Sequence, residues 1–377
     1  MNEQIYTNYR LLLPNEEVIG TLVVRDGLIA DIQPDVTFTG QDGEGDYLMP
    51  GLIELHTDNL EKCISPRPTV QWPMESAVVF HDRQLVSAGV TTVYDAIALG
   101  DVFPGSLRTT LYGGMIDAIH QGQLAGRFAA DHRLHLRCEV SYKDVLTFAE
   151  KYLDHPLLSL ISLMDHTPGQ RQFVNIEGYK RYYVGKGFTA SEIDAFIQSR
   201  QLEQQQYAEK NTATLVKMVK TKNVVIASHD DATVAHVQEA IENGATIAEF
   251  PTTLEAATAA RKQGLKILMG APNIVLGGSQ SGNISALDLV QRNQVDILSS
   301  DYAPHSLLQA IFEIARKMAR PLYESIKLVT SNPAKAVNLL QNRGSLEVGK
   351  RADMITVHDD GVVPRLCSVI VQGRRVA

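Results

Sequence analysis

The chain has 377 residues, 44% of them hydrophobic, and a formal net charge of −8. That length predicts two domains or one large barrel with an appendage. The acidic balance argues against a general nucleic-acid binder, which presents a basic face, but it leaves room for a small anionic substrate held by a local cluster of cations.

The opening MNEQIYTNYR lacks the basic-then-apolar order of a signal peptide, and no stretch is apolar for long enough to span a bilayer. The expectation is a soluble, cytoplasmic protein with no membrane partner. Cys63, Cys138 and Cys367 lie far apart and fit neither a disulfide framework nor a zinc CxxC pair, so buried thiols are expected.

The first fifty residues read as short strands, because TLVVR and LIADI flank Asp26-Gly27, a pair suited to the positive-φ positions of a type I′ hairpin. From there the pattern changes to short apolar strands alternating with amphipathic stretches, the signature of parallel βα units. Strands are predicted at 51–56, 90–97, 133–139, 157–165, 223–229, 245–249, 265–270 and 295–301. Eight is the number that closes a (β/α)8 TIM-like barrel. Helices are predicted to end at Gly89 and Gly244, each a C-terminal cap. From about 166 to 222 the chain is polar and long, with a Gln-rich helical stretch, as expected of a lid or substrate loop. At the end, ADMITVHDD and SVIVQGRRVA, with a tight turn at Gln372-Gly373, can pair with the N-terminal strands into one small sheet.

Metal-capable residues recur at the C-terminal ends of these strands. His56 and Asp58 are two apart on an extended segment, so both project to one side. Glu139 closes LHLRCE, His166 follows LISLMD, His229 closes VVIASH, and Asp301 closes DILSSD. In a barrel those ends converge on the face where active sites form. Taken singly, such a residue is more often a cap or a surface group, but six at matching positions point to one site. Imidazole and carboxylate donors suit Zn2+ first, with Mn2+ or Fe2+ compatible, and a carboxylate can bridge two ions. His81, His120, His132, His135, His155 and His358 fall outside the pattern and read as structural, with His236 on a helix face. His305 is a candidate for a residue supporting the ligands.

Several of these segments resemble a known family. MPGLIELHTDNLEK is similar to the opening barrel strand of the amidohydrolase superfamily, whose usual His-x-His is here His56-Thr57-Asp58. GSLEVGKRADMITV resembles the superfamily's closing segment. More narrowly, HTDNLEKCISPRPTVQWP, AGVTTVYDAIALGD, LHLRCEV, LMDHTPGQRQF and SHDDAT resemble a phosphonate-metabolism family of the carbon–phosphorus lyase pathway, and the similarity covers nearly the whole chain. The resemblance implies a small β-sandwich from 1–49 and 344–377 around a barrel at 50–343. It also implies one or two divalent ions held by His56, Asp58, Glu139, His166, His229 and Asp301, with Glu139 standing in for the carbamylated lysine of many relatives. The implied activity is hydrolysis of α-D-ribose 1-methylphosphonate 5-triphosphate to the 5-phosphate and pyrophosphate. His305 in SSDYAPHSLL departs from the family, where a small residue is usual.

An ion held there brings the pKa of water from about 15.7 towards 7, and Asp301 is the candidate general base. Lys62, Arg67, Arg171, Lys180, Arg181 and Lys186 are candidate substrate cations, and the insert carrying most of them reads as a triphosphate clamp. The loop Gly277-Gly278-Ser-Gln-Ser-Gly282-Asn283 could form an anion-binding nest without being a P-loop. Two other readings share this barrel: a hydrolase of cyclic amides or N-acyl substrates, and an inactive barrel serving as an assembly partner. The cations favour a phosphorylated substrate over a neutral amide, the resemblance implies that the partner molecule is a phosphorylated ribose phosphonate, and a homo-oligomer is compatible with every reading.

Overall fold

The computed structural model describes residues 3–101, 106–171, 176, 180, 189–279 and 282–377. It begins with β1 (Glu3–Leu12), β2 (Glu17–Arg25), β3 (Leu28–Gln33), β4 (Gln41–Asp42) and β5 (Tyr47–Pro50). Asp26 and Gly27, at φ 51° and 82°, turn β2 into β3 as the dipeptide predicts.

The barrel strands follow: β6 (Leu52–Thr57), β7 (Val90–Leu99), β8 (Asp131–Glu139), β9 (Leu158–Met164), β10 (Val225–His229), β11 (Ile247–Glu249), β12 (Lys266–Gly270) and β13 (Ile297–Ser299). Neighbours pair in sequence order, and every pair is parallel. Residues of β7 are buried along its whole length, which is why these strands read as continuous apolar runs: helices cover their outer face while the barrel interior covers the other. Ile53, Leu55, Tyr94, Leu160, Ala227, Ile247, Leu268 and Ile297 fill that interior.

The ring closes between its first and last strands. Thr57 bridges Asp301, the Asp58 amide donates to the Asp301 carbonyl over 3.2 Å, and the Asp301 amide donates to the His56 carbonyl over 3.1 Å. Below this, the buried Glu54 carboxylate accepts from the amides of His56 (2.7 Å) and Ser300 (2.6 Å), clasping the two strands.

The chain ends with β14 (Met354–Asp359), β15 (Pro364–Val371) and β16 (Arg374–Arg375). β5 pairs with β1 on one side and β14 on the other, so both termini enter one eight-stranded sheet ordered β16-β15-β14-β5-β1-β2-β3, with β4 on β1. Where the resemblance implies a small sandwich, the termini thus form one continuous sheet. After β9 the polar insert supplies a helix from Ala190 to Val219, started by a capping box between Thr189 and Glu192. Arg181 and Lys186 lie outside the described residues. Cys63 and Cys138 are buried as expected, but Cys367 is exposed, because its position in β15 faces away from the sheet's core. Among the described residues no helix is long and apolar enough to cross a membrane.

Candidate metal centre

The C-terminal ends of the strands bring the metal-capable residues to one mouth. His56 lies near the end of β6, Glu139 and His229 close β8 and β10, and His166 and Asp301 stand two residues beyond β9 and β13. Asp230 and Asp301 take φ values of 57° and 53°, a left-handed backbone that non-glycine residues rarely adopt and that turns the chain sharply at the strand end. His56, His166, His229, Asp230 and Asp301 line a cavity of about 270 Å3 together with Arg137 and Tyr302. Gly278, Ser279 and Asn283, from the loop read as an anion nest, line it as well. A larger cavity, about 630 Å3, opens near the N-terminal ends of β10 and β12 and contains no histidine, so it is remote from this cluster.

Glu249, the last residue of β11, sits fully buried beneath the histidines. Its two oxygens lie 3.0 Å from His56 Nδ1 and 3.0 Å from His229 Nδ1. The two rings stack with centroids 5.7 Å apart. Burial holds both imidazoles well below their ordinary pKa. They are therefore neutral, and with Nδ1–H donated to Glu249 the lone pair is left on Nε2, where it is available to a metal. His135, below them, bonds the Leu55 carbonyl and the Ser162 hydroxyl, which suits the structural role expected of it.

Glu139 is held from two sides. One oxygen lies 2.6 Å from His166 Nδ1, and the other accepts from the Ser141 hydroxyl (2.7 Å) and the His166 amide (3.2 Å). Burial pushes this carboxyl up, but the His166 charge and these hydrogen bonds outweigh it and leave it below its ordinary range. The free-standing carboxylates behave differently. Asp230 is pushed up to about 7 by burial, and Asp301 to about 6 by burial and by the charge of Asp58. The Oδ1 atom of Asp58 is buried without a hydrogen-bond partner. Neutral imidazoles facing crowded carboxylates form a donor set short of positive charge, and a divalent cation fits it. Among the described residues three sets of donor atoms lie close enough to share an ion: His56 with His229 and Glu249 and His166 with His229 and Asp230 at this mouth, and His81 with Asp95 and His132 behind the barrel wall.

The candidate cations are scattered. Arg171 pairs with Asp231 and Glu239 and donates to the His229 carbonyl, so it braces the turn after β10 and does not line the cavity. Lys62 is exposed at the rim, donating to the Tyr302 carbonyl over 2.9 Å. Arg67 is exposed, and Lys180 pairs with Asp194 at 2.8 Å. His305 is exposed just before the helix Ser306–Met318 and is not among the cavity residues. The sequence reading missed Glu249 and Arg137. Glu249 follows the rule that found the others, because it closes a predicted strand; Arg137 lies inside its strand, two residues before Glu139 on the same side of β8.

A second buried polar cluster lies behind the barrel wall. Asp95 on β7 is 2.7 Å from His81 Nε2 and 2.8 Å from His132 Nδ1, while His132 Nε2 is 3.3 Å from Asp82. Asn59, next to Asp58, donates to His81 Nδ1 over 3.1 Å. Every imidazole nitrogen here has a partner, which agrees with the structural reading of His81 and His132.

Residues 192–376 match the model of the Amidohydrolase family. The α-D-ribose 1-methylphosphonate 5-triphosphate diphosphatase of Escherichia coli (strain K12) is 46% identical over 99% of this chain and 100% of its own length. Among solved structures, N-acetylglucosamine-6-phosphate deacetylase from Pasteurella multocida is 14% identical with a TM-score of 0.63, covering 100% of both chains. Dihydropyrimidinase from Brevibacillus agri NCHU1002 is 12% identical with a TM-score of 0.63, covering 100% of this chain and 95% of its own. At such identities these two structures share the fold alone.

Proposed function

The chain belongs to the amidohydrolase family and, within it, to the α-D-ribose 1-methylphosphonate 5-triphosphate diphosphatases, and from that premise we propose how its barrel mouth cleaves a sugar triphosphate into the 5-phosphate and pyrophosphate. The observation that carries the reading is the convergence of His56, His166, His229 and Asp301 on one cavity that also contains a buried arginine. A hydrolase of neutral cyclic amides has no use for that cation, and an inactive barrel has no use for the ligand set.

His56, Asp58, Glu139, His166, His229 and Asp301 would hold one or two divalent ions, with Zn2+ the best match to this donor set and Mn2+ or Fe2+ next. A bound ion supplies Lewis acidity and makes water a competent nucleophile near neutral pH. The protein's own groups do the rest. Glu249 orients the imidazoles of His56 and His229, and Glu139 orients His166. Asp301, at the cavity wall, accepts the proton of the attacking water. Phosphoanhydride cleavage asks mainly for positioning and charge neutralisation, and we assign attack to the α-phosphorus. Lys62 at the rim, and Arg181 and Lys186 from the insert, are the cations we assign to the leaving pyrophosphate.

The test is to follow the 5-triphosphate by 31P NMR with purified enzyme. Pyrophosphate and the 5-phosphate should appear together, turnover should stop after exhaustive chelation, and Zn2+ or Mn2+ should restore it. In 18O-labelled water the label should enter the 5-phosphate. Stepwise release of orthophosphate, or full turnover by verified metal-free protein, would overturn the proposal.

A further inference from the structure

Arg137 is the feature of the cavity that the metal centre leaves unexplained. The residue is 7% exposed, and its guanidinium is permanently charged. Its Nε and Nη1 are both buried and donate no hydrogen bond. The carboxylate paired with it, Asp58 Oδ2, stands 4.0 Å from Nη1, beyond hydrogen-bond range. The other buried arginine among the described residues, Arg343, is satisfied by Thr92 and Asp131. A buried cation with two donor nitrogens left without an acceptor is strongly disfavoured unless something completes it. Arg137 lines the cavity alongside His56, His166, His229 and Asp301, so whatever completes it is an anion placed against the metal ligands.

Resting on the functional reading above, we propose that Arg137 is the residue that binds the phosphoryl group under attack, completing its own hydrogen bonds with that group's non-bridging oxygens. β8 fixes it there. Arg137 and Glu139 are two apart on a strand, so the residue that anchors His166 and the residue that meets the phosphoryl group share one rigid element and one face. The planar guanidinium suits a tetrahedral oxyanion better than a lysine, because it can present two N–H groups to two oxygens at once. Its proximity to Asp58 assigns it to the phosphoryl group beside the metal ligands and leaves the distal end of the triphosphate to the rim.

The experiment compares wild type, Arg137→Gln and Arg137→Lys, all metal-loaded, by calorimetric titration with inorganic triphosphate and by kcat and KM on the sugar triphosphate. Loss of charge-assisted hydrogen bonds should weaken triphosphate binding roughly 10- to 150-fold in Arg137→Gln. Arg137→Lys should bind better than Arg137→Gln but remain several-fold weaker than wild type. Metal content should stay at the wild-type value in both, and the unfolding midpoint of ligand-free Arg137→Gln should not fall below that of wild type. Triphosphate binding within twofold of wild type in Arg137→Gln would overturn the inference, as would weakening matched by an equal loss of metal. Should Arg137→Gln fail to fold, Arg137→Lys alone decides: wild-type affinity in that variant counts against the role. If wild type binds inorganic triphosphate through Arg137 yet leaves the sugar triphosphate intact, the functional reading fails and the anion site stands. If wild type hydrolyses the sugar triphosphate and binding is unchanged in both variants, the functional reading stands and Arg137 has no part in holding the phosphoryl group.

Discussion

Glu249 is fully buried, accepts from two histidines and has no exposed role of its own. In Glu249→Gln one imidazole keeps an oxygen acceptor while the other faces an amide NH2, so one ring must turn or change tautomer. Metal affinity should fall about 10- to 100-fold, read by competition with a chromophoric chelator. Unchanged affinity would show that packing alone, such as the Phe250 ring 5.0 Å from His56, sets the imidazoles. Asp301→Asn keeps the shape and an oxygen but removes the proton acceptor, so kcat should fall roughly 10²- to 10⁴-fold with little change in KM. Near-wild-type kcat with full metal content would transfer the role to Asp230 or Glu139. At this scale the sequence pointed to the ends of strands that carried or led into a histidine, or that lay first or last in the barrel. Glu249 escaped notice because its strand, ATIAE, carries no histidine to draw attention to it. Arg137 escaped because it stands inside LHLRCE and not at its end, although the two-residue period of a strand puts it on the same side as Glu139.

The helix Met74–Ser87 shows how a single element is locked to the barrel. It presents His81 and Asp82 to Asp95 on β7 and His132 on β8, and Asp82 also accepts from the amides of Ala129 and Ala130. Burial opposes the charge on His132, but Asp95 and Asp82 overcome it and raise its pKa from 6.5 to about 9. Burial likewise opposes the Asp95 charge, and the two histidines overcome it, lowering it from 3.8 to about 2. A raised imidazole stabilises the fold fully below the unfolded value and loses that contribution as pH climbs through about 9. A lowered carboxyl contributes above its unfolded value and loses the contribution as pH falls towards about 2. Both contributions coexist from about pH 4 to 6.5. His132→Gln should therefore lower the urea midpoint most in that window, by an amount corresponding to about 3–5 kcal/mol for a broken buried pair. The gap to wild type should narrow as pH approaches 9, and a gap independent of pH would show that shape, not charge, is what the helix loses. Elements were readable from their apolar runs, and all eight barrel strands lie where predicted. Five are shorter at their edges than predicted: β10, β11 and β12 begin later and keep their C-terminal ends, β9 loses a residue at each end, and β13 also stops at Ser299, two residues before Asp301 turns into positive φ at 53°. That departure depends on neighbouring strands, and no local run of residues encodes it.

Across the whole molecule, the barrel is a ring whose closure coincides with the site. His56 and Asp58 leave the first strand where Asp301 leaves the last, and the hydrogen bonds joining those strands run through the same three residues. The sequence could show that both strands exist, but the seam between them is a contact of residues some 240 positions apart, which periodicity does not report. An ion held by donors on both sides of the seam binds the closed ring and not the unfolded chain, so occupancy and folding are linked. At free metal a hundredfold above Kd the linkage is worth about 2.7 kcal/mol, and the unfolding midpoint should rise by several degrees over the chelated protein. The rise should grow with the logarithm of free metal. It should shrink in Asp58→Ala, which removes a donor on one side of the seam, while the midpoint of the chelated variant stays near that of chelated wild type, because Asp58 is partly exposed and one of its oxygens has no hydrogen-bond partner. A midpoint indifferent to metal in wild type would mean that the ions do not bridge the seam, and that the clasp of Glu54 on His56 and Ser300 closes the barrel without them.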